Sequence, residues 1–269
     1  MINTNINTNA IISSLKTAGW LLWCDIQQFM KDWHNNILDS LFWPLVLILA
    51  NGYILPAMGM PSDYGAFIAI SMLIIMASFT AWSAANVLAA DFESTRSIGY
   101  ELTLPLPYWL VYIKIVLQFA FKAAIFNLIS LLIGKIILMN AFSFANFKLF
   151  SFTLIYLTSC VFFGTFALWA AALAGNVKKF MRLELRIAGP LFFICGYSFP
   201  WQTLHSISPT MGKLMLLTPW IYAYEGVRIA IFGQFGYLNY WLCMGMLILF
   251  IIIYGLHGLY LFKKRLDCV

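Results

Sequence analysis

The sequence has little charge and no long polar stretch, and these two absences bound what the chain can be. Only 10% of its 269 residues are charged, whereas 62% are hydrophobic. Soluble domains carry about 25% charged and about 45–50% apolar residues, so this composition excludes a soluble globular protein. Several apolar runs exceed the ~18 residues that indicate a membrane-spanning helix. We therefore expect an all-α polytopic membrane protein with a single transmembrane domain over residues 1–269.

The sequence also lacks the residue patterns of a catalytic, nucleotide or metal site. It contains no Gly-x-x-x-x-Gly-Lys-Ser/Thr motif, the loop that cradles nucleotide phosphates. Its five cysteines are far apart without metal-ligand spacing, and its three histidines fall at different depths of the predicted spans. The basic residues are scattered and do not gather on one face, which disfavours nucleic-acid binding. We expect no catalytic residue, no metal site, no bound cofactor and no nucleic-acid partner for this chain.

Apolar runs predict six membrane spans, with both termini on the cytoplasmic side. The third run is longer than a ~30 Å hydrocarbon core requires at ~1.5 Å per residue, so this span must tilt or project. An even number of spans places the cluster Lys263–Arg265 on the same side as the other basic loops, as the positive-inside rule demands. The predicted spans are 37–55, 64–90, 107–139, 147–174, 183–200 and 238–262, with a bend in the fifth at Pro190.

Two further segments predict helices that do not span. Residues 14–36 predict an amphipathic helix that lies flat at the membrane interface, with an ordinary leader into the first span as the alternative. Residues 202–232 predict a hairpin of two helical pieces, 202–217 and 219–232. Each piece reaches only ~20 Å, which is too short to cross. We expect this pair to re-enter the outer leaflet while buried against protein, because broken helix is tolerated at depth only there.

A compact polar segment, 91–104, separates the second and third predicted spans. It contains charged residues that can form contacts across an interface, and also apolar side chains whose exposure to water would be unfavourable. We interpret it as a short helix docked on a structure outside the bilayer, with a solvated connecting loop as the alternative. Its candidate contact residues are Asp91, Phe92, Glu93, Arg96, Gly99, Glu101, Leu102 and Leu104.

Polar and aromatic residues elsewhere are candidates for a translocation path or gate. Lys114, Gln118 and Lys122 form one helical stripe, which is either a cationic lining for an anionic headgroup or a set of lysines snorkelling to the cytoplasmic surface. Glu225 and Arg228 have i, i+3 spacing and can pair, as a structural pair or as part of a gate. The outer-mouth candidates are Tyr197, Phe199, Pro200 and Trp201. Their aromatic members cluster with Trp220, Tyr222 and Tyr224, as an interfacial belt or as a sugar-stacking surface.

The order of these elements and two short motifs resemble the permease subunits of type-two ABC exporters, over nearly the whole chain. After the second span that family has a Glu/Arg-rich stretch, Gly-Thr, Glu-Leu-Leu and Pro. The similar residues here are Glu93, Arg96, Gly99, Glu101, Leu102, Leu104 and Pro105, with Tyr100 in place of threonine. Near the hairpin, the stretch 196–200, the pair Thr218-Pro219 and Arg228 resemble the family's Gly-x-x-Phe-Pro, Asn-Pro and Arg pattern, with Thr218 in place of asparagine.

The resemblance implies a transport function and a set of partners. It implies a non-enzymatic subunit of the bacterial cytoplasmic (inner) membrane that moves a glycan, lipid or drug out of the cytoplasm or the inner leaflet. It implies that 91–104 is a coupling helix bound by a separate ABC ATPase subunit, on which ATP and Mg would be found. It also implies a second permease copy, as a homodimer or with a paralogue. Membrane lipids are the remaining expected partners.

Two other function classes stay open on the residues alone. An integral-membrane transferase acting on a lipid would gather acids, or a histidine and an acid, at one depth. Here Asp91 and Glu93 are the only close acidic pair beyond the isolated Glu101. A self-contained secondary transporter would show internal repeats and helix breaks at the midplane. No repeat relates the two halves of this sequence, and its predicted breaks lie at the outer edge.

Overall fold

The computed structural model describes residues 8–61, 63–93, 106–139 and 146–267, and the regular structure in these ranges is entirely helical. The predicted all-α class is therefore confirmed for this part of the chain. Three short irregular turns join consecutive α-helices: π-helix at Ala50–Ile54 and Glu184–Ala188, and 3₁₀-helix at Phe126–Leu128. The α-helices are α1 (Thr8–Lys31), α2 (Trp33–Leu49), α3 (Leu55–Ala57), α4 (Tyr64–Glu93), α5 (Tyr108–Ile125), α6 (Ile129–Leu138), α7 (Leu149–Ala174), α8 (Val177–Leu183), α9 (Gly189–Ile194), α10 (Trp201–Ile207), α11 (Pro209–Met215), α12 (Pro219–Phe232) and α13 (Tyr240–Asp267).

Five helical stretches of the described chain are long and apolar enough to cross a membrane. They correspond to the predicted first, second, third, fourth and sixth spans. The predicted fifth span, 183–200, overlaps the irregular helix formed by α8, a π-helical turn and α9, whose first half is strongly charged. Pro190 lies at the start of α9, directly after the π-helical turn, so the irregularity occurs where the sequence predicts a bend. The five stretches are Trp33–Ala57, Tyr64–Glu93, Tyr108–Leu138, Leu149–Ala174 and Tyr240–Arg265.

The helices α4 and α7 form the centre of the bundle. Helix α7 packs against α4, α5 and α13, and α4 also packs against α2, α5 and α6. Most residues of both central helices are buried, and many of the buried positions are alanine or serine, which let helices approach closely in a membrane. In contrast, α2 and α13 expose large apolar side chains such as Phe42, Trp43 and Trp241, which suits a lipid-facing or subunit-facing surface.

The predicted hairpin contains three helices in the structure, not two. Ser208 has an extended backbone, and Pro209 begins α11, so the expected helix 202–217 is divided into α10 and α11. Proline disfavours helical geometry in the residue before it, which explains the break. The second piece begins at Pro219 as the sequence predicts, because proline suits the first turn of a helix. Helix α12 is buried along almost its whole length against α13, α7 and α4.

A close approach of α7 to α5 depends on the absence of a side chain at residue 164. A Cβ atom on Gly164 would lie 2.8 Å from the carbonyl oxygen of Val116 and 3.1 Å from the amide nitrogen of Ala120. These are backbone atoms, so they cannot move aside as the end of a flexible side chain can. The pair α5–α7 can therefore keep this spacing only with glycine at 164.

We expect Gly164→Ala to destabilise the protein by about 1–3 kcal/mol, because the added methyl group must push two helix backbones apart. The matched control is Gly245→Ala in α13, where an added Cβ would have no atom within 4 Å. That variant should be neutral or slightly more stable, since alanine is a better helix former than glycine. Thermal unfolding in detergent compares the two, and equal midpoints would contradict the packing argument.

Candidate functional site

The described part of the predicted coupling segment is the last turn of α4, which contains Asp91, Phe92 and Glu93. The Phe92 ring lies 6.4 Å from the ring of Phe262 in α13, in an edge-to-face arrangement. The Glu93 carboxylate accepts a long hydrogen bond of 3.5 Å from the backbone N–H of Val177, at the start of α8. The end of α4 is thus attached to two other helices. The remaining predicted coupling residues lie outside the described part of the chain: Arg96, Gly99, Glu101, Leu102 and Leu104.

The same end of the molecule also joins α7 to α13. Arg265 of α13 donates hydrogen bonds of 3.1 Å to the carbonyl oxygens of Ala172 and Leu173, which would otherwise be unpaired at the C-terminus of α7. Gly175 follows with a left-handed backbone (φ +67°) and lies directly against this guanidinium, where a side chain would not fit. Contacts at this end therefore join α4 to α8 and α13, and α7 to α13.

The stripe predicted on the third span contacts the N-terminal helix α1. The Lys114 ammonium is buried and lies 2.8 Å from the carboxylate of Asp25 in α1. One turn further along, the half-buried Gln118 continues the stripe, and Lys122 lies over the ring of Phe29, 5.4 Å from its centroid. Helix α1 therefore packs along α5 on this polar face.

The predicted pair Glu225–Arg228 lies at the centre of a buried network. Both side chains are fully buried, and an Arg228 guanidinium nitrogen lies 3.6 Å from a Glu225 carboxylate oxygen. The two oxygens of Glu225 also accept hydrogen bonds of 3.1 Å from the backbone N–H groups of Trp201 and Leu238. Burial raises the pKa of Glu225, and the charge of Arg228 together with these two N–H donors opposes that rise. Glu225 thereby fixes the first residue of α10 and the entry to α13.

Arg228 connects the hairpin to the second span. Its guanidinium donates to the Ser71 hydroxyl at 2.6 Å and to the carbonyl oxygens of Gly196 and Tyr197 at 2.6 and 3.1 Å. It also stacks over the ring of Phe67 in α4, 3.7 Å from the centroid, which is a cation–π contact. One arginine therefore ties α12 to α4 and to the turn that follows α9.

An open cleft of about 750 Å³ lies next to this network. Its walls come from the start of α4, the segment 198–203 and the end of α12. The Tyr64 hydroxyl, at its edge, donates a 3.2 Å hydrogen bond to the carbonyl oxygen of Ser198. Aromatic rings and polar groups share the lining, as in sites for amphipathic ligands. The lining includes Asp63, Tyr64, Phe67, Phe199, Pro200 and Tyr237.

The structure separates the predicted outer-mouth residues into two groups. Phe199 and Pro200 line the cleft. Tyr197 is buried against Phe193, and Trp201 stacks on His205 while its indole N–H donates to a backbone carbonyl, so these two hold the turn and the hairpin together. The sequence gives no signal for Phe67 and Ser71 as network residues, because both lie within an uninterrupted apolar run. The role of Asp25 was equally unpredictable, because it is one polar residue among several on α1.

Metal ligation receives no support from this geometry. Across the described ranges, no group of three or more His, Cys, Asp or Glu side chains is placed to hold a metal ion.

Comparison with known proteins agrees with the architecture. The family model described as "ABC-2 type transporter" matches residues 18–232, which is most of the chain and includes α4, the segment after it, the hairpin and the Glu225–Arg228 pair. No curated protein matches the chain, and no solved structure matches it.

Proposed function

The chain belongs to the ABC-2 type transporter family, and from this membership we propose that it is the transmembrane subunit of an ATP-driven exporter. Its cargo is an amphipathic or lipid-linked molecule (a glycan, a lipid or a drug) that leaves the cytoplasm or the inner leaflet. A separate ABC ATPase hydrolyses ATP with Mg, and a second copy or a paralogue completes the membrane part. The attachment of the end of α4 to α8 and α13 carries this proposal, because an ATPase subunit that binds next to α4 can move these helices together.

Six crossings of a bacterial inner membrane are part of the proposal, and helix contacts support the count. The irregular helix α8–α9 begins beside Glu93, at one end of α4, and its following turn reaches Tyr64, at the other end. It therefore runs antiparallel beside α4, and the Phe192 ring contacts the rings of Phe79 and Trp82 between the two ends. From these contacts we infer that this segment crosses the bilayer together with α4. This crossing makes the total even.

Two further contacts support a cytoplasmic C-terminus. Lys263, near the end of α13, lies over the ring of Tyr108 at the start of α5, 5.4 Å from its centroid. Arg265 lies at the end of α7. The C-terminal basic cluster is thus on the same side as the end of α4 and the start of α5, and we propose from the positive-inside rule that this side is cytoplasmic. The hairpin α10–α12 and the 750 Å³ cleft then face outward.

A substitution in segment 91–104 tests the coupling role. We expect Glu101→Lys to weaken association with the ATPase subunit about tenfold or more, because one charge-assisted contact contributes ~1.5–3 kcal/mol. Stimulation of ATP hydrolysis by the permease should fall with it. Both are measured on the co-purified complex in detergent, by titrating the permease against the ATPase.

The matched control is Asp32→Lys, the same kind of charge reversal at an exposed acidic residue between α1 and α2. It should leave both association and stimulation unchanged. If Glu101→Lys and Asp32→Lys behave alike, segment 91–104 is a solvated connection and the proposed coupling role is wrong.

A further inference from the structure

A second cleft, about 350 Å³ in volume, lies between the N-terminal helix and the spans. Residues from α1, α2, α4, α5 and the 3₁₀-helical turn at Phe126 surround it. Cation and carboxylate share its lining with hydroxyl and amide groups, which is unusual among helices this apolar. The lining residues are Phe29, Asn36, Asp39, Ser40, Phe79, Thr80, Ser83, Ala84, Val87, Lys122 and Phe126.

Lys122 is the cation of this cleft, and within the described ranges it lacks the direct ion pair that Lys114 makes. Lys114 is paired with Asp25 at 2.8 Å, whereas Lys122 has no ion-pair partner among the residues that the structure describes. Its ammonium lies over the Phe29 ring of α1, 5.4 Å from the centroid. An ammonium inside a membrane protein is costly unless an anion or water meets it, so the cleft is suited to an anionic group.

Hydroxyl groups beside Lys122 add donors suited to phosphate oxygens. Ser40 is 7% exposed and lies on the wall formed by α2, and Ser83 is exposed on the wall formed by α4. A serine hydroxyl and a lysine ammonium both donate hydrogen bonds. Asp39, exposed on α2, provides a carboxylate in the same cleft. A ligand with a phosphate and an ammonium can pair with both Lys122 and Asp39. A purely anionic ligand can pair with Lys122 only and is repelled by the Asp39 carboxylate.

The depth of this cleft matches the boundary between hydrocarbon and headgroups. Along the helix axes at ~1.5 Å per residue, Lys122 lies ~24 Å from Leu138, and Ser83 lies ~28 Å from Tyr64. In the orientation proposed above, Leu138 and Tyr64 are the outer ends of these two spans. One hydrocarbon core is ~30 Å thick, so the cleft lies near the inner edge of the core. Phe79, one turn closer to the membrane centre than Ser83, continues the wall as an apolar surface.

From this combination we propose that the inner cleft binds the headgroup of a zwitterionic membrane phospholipid of the phosphatidylethanolamine type. Lys122, with the hydroxyls of Ser40 and Ser83, binds the phosphate. Asp39 accepts hydrogen bonds from the ammonium, and the acyl chains leave the cleft past Phe79, which lies one turn closer to the membrane centre than Ser83. The lipid fills the space between α1 and the spans and holds α1 against α5. This binding site is distinct from the outer cleft and does not depend on an ATPase partner.

Native mass spectrometry of the full chain, titrated with phosphatidylethanolamine, phosphatidylglycerol and phosphatidylcholine in detergent, tests the site. We expect the protein to retain phosphatidylethanolamine at about one tenth of the lipid concentration that the other two require, a difference of ~1.4 kcal/mol in binding free energy. Lys122→Met should remove most of this binding. Asp39→Asn should abolish the preference over phosphatidylglycerol while lipid is still bound. Lys135→Met, an exposed lysine at the opposite end of the same span, should change neither.

Three results would overturn the proposal. Binding by Lys122→Met equal to that of the unsubstituted chain would show that the ammonium is not involved, provided that its thermal unfolding midpoint is unchanged. Equal retention of all three lipids would show that Asp39 does not select the headgroup. Free phosphoethanolamine that competes as well as the lipid would assign the cleft to a soluble phosphate ester and not to a membrane lipid.

Discussion

Arg228→Met should lower the thermal unfolding midpoint of the detergent-solubilised protein by about 10 °C. Removal of one partner of a buried ion pair costs about 3–5 kcal/mol, and each kcal/mol corresponds to about 2–4 °C in a domain of this size. Arg228 is 0% exposed, so its truncation leaves the Glu225 carboxylate buried without its cation. The bonds from α12 to Ser71 and to the turn at Gly196 are lost as well.

Two variants separate this effect from a simple loss of positive charge. Arg228→Lys keeps the charge but cannot reproduce the planar fork of donors, so it should lie between Arg228→Met and the unsubstituted protein. Lys213→Met removes an exposed cation from the neighbouring helix α11 and should have no effect. A midpoint for Arg228→Met as high as that of Lys213→Met would show that the network does not hold α12 in place.

The second large effect is expected at the contact between α1 and α5. Asp25→Asn should cost about 2–3 kcal/mol, because it takes away the carboxylate that lies 2.8 Å from the buried Lys114 ammonium. The cost is below that of a fully buried pair, since the Asp25 side chain keeps 24% exposure and water compensates in part. Beyond stability, α1 should become accessible to proteases, because its charged anchor on the spans is gone. Limited proteolysis with mass spectrometry of the fragments measures this directly.

The matched control for Asp25→Asn is Asp32→Asn. Asp32 is exposed, precedes α2 and makes no side-chain capping bond, so the same change there should alter neither stability nor cleavage. The double variant Asp25→Asn/Lys114→Met should be more stable than Asp25→Asn alone, because no buried charge is left unpaired. Identical proteolysis of Asp25→Asn and Asp32→Asn would contradict the role of the pair.

Hydrophobic pattern and local chemistry were sufficient to predict most helices. The apolar runs of α4, α7 and α13 are long and bounded by polar residues, so the observed helices largely follow the predicted spans. The start of α12 at Pro219 was predictable because proline has one favoured place in a helix. Local sequence also favoured pairing of Glu225 with Arg228, which needs only i, i+3 spacing.

Long-range polar partners could not be predicted, because sequence spacing contains no information about them. Asp25 meets Lys114 across 89 residues, and Ser71 meets Arg228 across 157 residues. The stripe of Lys114 and Lys122 suggested a pore lining or snorkelling lysines, and the packing of α1 along it depends on tertiary structure alone. The predicted fifth span, 183–200, stays a prediction for a different reason. Charged residues in α8 and the π-helical turn weaken its hydrophobic signal.

Cross-linking from two opposite ends of the molecule provides the sharpest test of the proposed ATP-driven exporter. The five native cysteines are first replaced by alanine. One variant then has a single cysteine in place of Glu101, in segment 91–104, and another in place of Thr203, in the lining of the outer cleft. Each variant is treated with a thiol cross-linker in its native membrane. We predict that an ABC ATPase subunit is captured from position 101 and not from position 203. Capture from both positions, or from neither while purified chain alone moves cargo in liposomes, would contradict the account.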